Sequence, residues 1–174
     1  MQGSFTMAEK LKAWGLEKAR IYNFDACGCG NVIILSTTTD HILKDSGNAS
    51  VQNIRTNIKR LRDHALQTAS SMHLEKILFT PTPFSDDVGF LRAGFAAQTI
   101  TVLPMEEAVR YEGVLRSRDD FADLIISGKV KEPTEKRNLP ETWRNLNTSM
   151  DKVSRLTPKY FEQIVNFIVE LVKE

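Results

Sequence analysis

Hydrophobic positions along this chain switch between two periods. Ile21, Tyr22 and Phe24 form a short run of strand formers that ends at Asp25 and a glycine-rich stretch, Gly28-Cys29-Gly30. Residues 32–35 are continuously apolar, as in a buried strand. The short spacer predicts that these two strands pair as an antiparallel hairpin. Residues 45–50 read as a loop. From residue 50 to 71 the period becomes helical, because Val51, Ile54, Ile58, Leu61 and Ala65 step by three and four. Lys76–Thr80 and Ala97–Leu103 are two further strands, the second closed by Pro104. Between them the prolines at 81 and 83 mark a turn, and Ser85-Asp86-Asp87 caps a short helix stopped at Gly94.

Helices are expected from about Met105 and about Asp119, and a mostly polar loop from 128 to 141 carries Pro133 and Pro140. Thr157-Pro158 is a cap followed by a first-turn proline. It opens a terminal helix whose apolar face is Phe161, Ile164, Val165, Ile168 and Leu171 or Val172. At the other end, Thr6 to Glu9 has the form of a capping box, with Met7, Leu11 and Trp14 on one face and Gly15 as the stop. Strands alternating with helices predict a single α/β domain over residues 1–174, a three-layer sandwich. Its four-stranded sheet is mixed, mostly parallel, and flanked by helices on both faces.

Composition narrows the partners. With 174 residues, 41% of them apolar and 26% charged, the chain is long enough for one packed core. A net charge of +1 gives no bulk attraction for nucleic acid or an anionic membrane. No apolar run is long enough to span a bilayer, and the N-terminus lacks a signal-peptide core, which points to the cytoplasm. Arg55, Lys59 and Arg62 share a helix face that reads as solvated. Cys27 and Cys29 suit neither a disulfide framework nor a closed zinc site and read as small buried thiols in a reducing compartment. His41, His64 and His73 form no metal-binding motif, and His64 falls on the polar side of its helix. Cys27 has no histidine placed to activate it, and the glycines at 28 and 30 read as serving the turn.

Three separated segments carry the remaining chemistry. Asn23-Phe24-Asp25 ends a strand before a glycine. Ser85-Asp86-Asp87, followed by Phe90-Leu91-Arg92-Ala93-Gly94, precedes a strand. Asn147-Thr148-Ser149-Met150-Asp151 precedes the terminal helix. This order resembles the carboxyl-terminal half of the zinc aminopeptidase and glutaminyl cyclase family, with its N-x-D-x-x-G, S-D-H or D-D-H, and H-T-x-x-D motifs. The resemblance implies a zinc-exopeptidase-like fold truncated at its N-terminus, a zinc ligand at Asp25, and Ser85, Asp86 and Asp87 near a substrate pocket. The implied reaction is metal-assisted hydrolysis of amino-terminal peptide bonds, with a peptide as substrate.

The chain departs from that pattern at two histidines. The family's H-T-x-x-D histidine falls on Asn147, and its S-D-H histidine falls on Asp87. The family's remaining ligands belong upstream, and Gly3-Ser4 matches a pair that follows them in relatives, so the resemblance starts this chain just after that segment. Glu106-Glu107 is a candidate substitute that reads better as the start of a helix. One nameable ligand falls short of the three that a catalytic zinc takes. The expectation is therefore a peptidase-like domain inactive in isolation. The alternative is a non-catalytic interaction module, since the same family includes receptor ectodomains that keep the fold without the metals. Uncovered apolar helix faces and a strand edge predict a dimer or larger assembly.

Overall fold

The computed structural model describes residues 2–44, 48–74, 76–83 and 85–173. Four strands form one sheet: β1 (Ile21–Phe24), β2 (Val32–Ser36), β3 (Lys76–Thr80) and β4 (Ala97–Leu103). Nine helices accompany them among the described residues. They are α1 (Gln2–Ala13), α2 (Thr38–Ile42), α3 (Ala49–Ser71), α4 (Asp87–Arg92), α5 (Met105–Ser117), α6 (Phe121–Ile126), α7 (Pro133–Lys136), α8 (Glu141–Asn145) and α9 (Pro158–Val172). A single 3-10 turn, Val153–Arg155, precedes α9.

The spatial order is β1-β4-β2-β3. β1 runs parallel to β4, β2 parallel to β3, and β2 antiparallel to β4. The expected β1–β2 hairpin does not form, because β4 lies between the two strands. Residues 25–31 must therefore cross two strand spacings, roughly 10 Å, over the carboxyl end of β4. Gly30 marks the crossing. A Cβ there would lie 2.1 Å from the Leu103 carbonyl carbon, and one at Gly28 would lie 2.2 Å from Leu156 Cδ2. Neither glycine has a positive φ, so they serve close approach rather than a tight turn.

Alternation along the strands sorts the core into two layers. Ile33, Leu35, Ile100 and Val102 face α3 and α9, where they meet Ala65, Ala69, Ile164, Phe167 and Leu171. Val32, Ile34 and Leu103 face the other way, against Tyr111 of α5, Phe121 and Ile125 of α6 and Trp143 of α8. Helices thus cover both faces of a mixed sheet. α1 packs on α4 at the amino end of β1, through Ala8, Ala93, Phe95 and Ile21.

Several local expectations change. α1 begins by Gln2, so Thr6 lies inside the helix and its hydroxyl donates to the Gln2 carbonyl at 3.0 Å. The buried face of α1 is the small pair Ser4 and Ala8, while Met7 and Trp14 are exposed. On α9 the buried row is Ile164, Phe167 and Leu171, and Phe161, Val165 and Val172 are exposed. Thr157 sits at the N-cap position but its side chain caps nothing. Its N–H instead donates to the Gly28 carbonyl at 3.1 Å. Arg62 does not belong to a solvated stripe: it donates to Asp40 at 2.6 Å, to the Gln98 amide oxygen at 3.1 Å and to the Ser36 carbonyl at 3.0 Å. The polar loop from 128 contains the single-turn helix α7, started by Pro133 at its first turn. The loop at 45–50 lies partly outside the described residues, and α3 starts at Ala49 behind an Asn48 cap whose side chain accepts from the Ser50 N–H.

A Gly30→Ala substitution should lower stability by about 3 kcal/mol, because its clash is with backbone and not with a flexible side chain. Gly113→Ala, in the open interior of α5 with nothing within 4 Å of the new methyl, should raise it by about 0.5–1 kcal/mol. Urea unfolding of the two variants checks both signs.

Candidate functional site

β1 delivers Asn23 and Asp25 to the face that carries Thr99 and Thr101 of β4. The Asp25 N–H donates to the Ile100 carbonyl at 3.0 Å, so its backbone still belongs to the sheet. Ala26 then takes a φ of 54°, a left-handed conformation that costs an L-residue roughly 1 kcal/mol or more. That turn ends the strand sharply and leaves the Asp25 side chain exposed.

Four hydrogen bonds link the side chains. The Ser85 hydroxyl donates to Asp25 Oδ2 at 2.6 Å and accepts from Asn23 Nδ2 at 2.7 Å. The second Asn23 amide hydrogen goes to the Thr99 hydroxyl at 3.2 Å. Thr99 in turn hydrogen-bonds the Asp87 carboxyl. The chain Asp25–Ser85–Asn23–Thr99–Asp87 uses both amide hydrogens of Asn23 and joins two segments about sixty residues apart in sequence.

The residues Ser85, Asp86 and Asp87 diverge. Ser85 lines a cavity of about 70 Å³ together with Asp25, Thr99, Thr101, Trp143 and Leu146. Asp86 turns towards α1, where its Oδ1 accepts from the Ser4 hydroxyl at 3.0 Å. Asp87 is buried, with 2% of its surface exposed. Burial pushes its carboxyl above the usual range, while hydrogen bonds from Thr99 and the Val88 N–H pull the other way. Trp143 closes the cavity, its indole N–H donating to the Thr101 hydroxyl at 3.3 Å and its ring edge-on to Tyr111 at 5.0 Å. A space of this size holds water, not a peptide, since substrate pockets run to about 300 Å³ or more.

Asn147 lies outside this cluster. It is exposed, has a φ of 59°, and its N–H donates to Asp151 Oδ2 at 3.1 Å. Its neighbour Leu146 reaches the cavity wall, so the third segment arrives at the site through an apolar side chain. Glu107 begins α5, as its sequence suggests, and accepts from the Thr142 N–H at 2.9 Å. His64 is half-buried rather than on a polar face, with Nε2 3.2 Å from the Leu171 carbonyl and its ring 6.2 Å from that of Tyr22. Both cysteines are free thiols. Burial, aided by the Asp25 charge, pushes the Cys27 thiol up to about 12, which leaves almost no thiolate at neutral pH and no nucleophile there.

The donor set does not fit a catalytic zinc held by this chain alone. Around Asp25 stand the hydroxyls of Ser85 and Thr99 and the amide of Asn23, whereas zinc takes imidazole, thiolate and carboxylate. Among the described residues, no group of three or more His, Cys, Asp or Glu is close enough to share a metal ion. Thr99, Thr101 and Trp143 are the site residues that sequence reasoning missed. The two threonines look like ordinary strand formers, and only their alternation with Ile100 and Val102 hints at a polar face. Among the described residues no helix is long and apolar enough to cross a membrane. Comparison with family models, curated proteins and solved structures returns no match.

Two variants test this network. Asn23→Ala leaves Ser85 and Thr99 without their shared donor and should cost about 1–2 kcal/mol in urea unfolding. Asp87→Asn probes the buried carboxyl. A raised folded pKa gives stability that is complete below the unfolded value, about 3.9, and is lost as pH rises through the folded value. Asp87→Asn should therefore gain stability relative to wild type as pH rises from about 4 towards neutrality. A constant difference across that window would refute the assignment.

Proposed function

We propose that this chain is a zinc-aminopeptidase-like domain whose own residues do not assemble a hydrolase, and that it acts by binding. The hydrogen-bonded chain from Asp25 to Asp87 carries this reading. It brings together residues from two of the three segments that resemble the family, and there they satisfy one another with hydroxyl and amide groups. The polar network fixes the geometry of a strand end and a loop, which is what a binding scaffold requires. The two free thiols are in keeping with a reducing compartment, and we place the domain in the cytoplasm on that ground.

A second reading keeps the family's reaction, hydrolysis of amino-terminal peptide bonds, with Asp25 as one zinc ligand and the others supplied from outside these 174 residues. Its support is the exposure of Asp25 and the absence, among the described residues, of any hydrogen bond to its Oδ1. Self-association belongs with either reading. Phe161, Val165 and Val169 form an exposed apolar row at intervals of four along α9, and a second copy could cover it.

The purified chain should give no zinc-dependent turnover of aminoacyl nitroanilides or dipeptides, and equilibrium dialysis should find no stoichiometric zinc. Robust metal-dependent hydrolysis abolished by Asp25→Ala would overturn the binding reading in favour of the second.

A further inference from the structure

The sheet ends at β1. Among the described residues its one neighbour is β4, in the parallel register Ile21 to Ala97 through Phe24 to Ile100. The Asp25 N–H points to β4, where it donates to Ile100. Backbone groups alternate along a strand, so the N–H and C=O of Phe24 point the opposite way, outwards from the sheet. An edge of this kind accepts an added strand.

Beside the amino-terminal half of β1 runs an open groove of about 710 Å³, between the strand and α3. Among the described residues Lys18, Arg20 and Arg60 line it, with Asn57, His64 and one carboxylate, Glu17. No ion pair engages Lys18, Arg20 or Arg60 among the described residues. The Arg60 guanidinium donates to the Asn57 amide oxygen at 3.4 Å. Arg62, two residues along α3, shows the contrast: it is tied to Asp40 and to β2 and β4. The opposite side of β1 is apolar at its amino-terminal half, where Ile21 packs with Ala8 and Leu11, and carries Asn23 of the polar network further along.

We propose that β1 and this groove bind an extended peptide in which acidic and apolar side chains alternate. The peptide pairs as a fifth strand through Phe24. Side chains of an added strand project alternately to the two faces. One set then meets the three cations on the α3 side, and the other meets the apolar surface around Ile21 and Leu11. The proposal rests on the binding reading above and names its surface and partner class.

The test uses a capped, fluorescent peptide alternating Glu and Val over about six residues, a typical strand length. Binding is read by anisotropy, and amide hydrogen exchange of the protein is followed by NMR. The acidic peptide should bind, and added salt should weaken it. Reversing two exposed charges together, Arg20→Glu with Arg60→Glu, should weaken binding by about tenfold or more. Exchange at the Phe24 amide should slow on binding, and an N-methylated peptide of the same sequence should lose both effects. Absent binding, equal binding of a Lys–Val peptide, or binding without Phe24 protection would each overturn the proposal. A dimer whose Phe24 amide is already protected without peptide would overturn it too, assigning the edge to a second copy. Zinc-dependent turnover, measured in the same samples, would sink the binding reading itself. No turnover and no peptide binding would sink the edge proposal alone.

Discussion

The insertion of β4 between β1 and β2 is the constraint on which the rest of this structure depends. All seven of its residues are buried, so each polar one needs an internal partner. Gln98 receives Arg62 from α3 and donates to the Ser36 carbonyl. Thr99 takes Asn23 and engages Asp87, and Thr101 takes the Trp143 indole. These five bonds fix which helix and which loop lie over each stretch of the strand. On the other face, Ile100 and Val102 supply the apolar floor for α3 and α9. The crossing at Gly30 follows from the same arrangement, because the chain must leave β1, pass the end of β4 and return as β2.

Much of this was legible one element at a time. Lys76–Thr80 and Ala97–Leu103 stand out through apolar content and flanking breakers, and both strands occur with those bounds. The long helix after residue 48 follows from its period, and Gly15 and Gly94, both with positive φ, end the helices they follow. Pairing was not legible. Residues 28–30 look like a hairpin turn because local sequence carries no record of a strand inserted from 70 positions downstream. The helix faces were half legible for a related reason. On α9 both sides of the helix are apolar, so periodicity alone could not choose Phe167 over Phe161 as the buried ring.

The candidate site divides in the same way. Asp25, Ser85 and Asp87 carry recognisable patterns, and the structure joins them through hydrogen bonds. Asn23 is the part that makes them one network, and its role depends on Thr99, which no motif marks. Two carboxyls of similar sequence context end in opposite environments. Asp25 stands at a strand end in solvent, while Asp87 is buried behind β4 and held towards its neutral form. A general acid and a general base could differ in this way, yet the side chains between them are hydroxyls and an amide that are already engaged. The arrangement is therefore rigid and polar, suited to holding shape.

The position of β4 also sets the order in which the molecule can be completed. Asn23 and Thr99 sit side by side in the sheet although 76 positions separate them in the chain. During synthesis at about 5–20 residues per second, β1 waits several seconds for β4, the strand it pairs with. Over that interval β2 and β3 can pair with each other, across the shorter span bridged by α3. A two-stranded parallel unit with its helix is thus available before β4 is made, and β1 can join the sheet only through β4. The strand that completes this sheet is the first of its four in sequence, so β1 stays open to other contacts until β4 has been made.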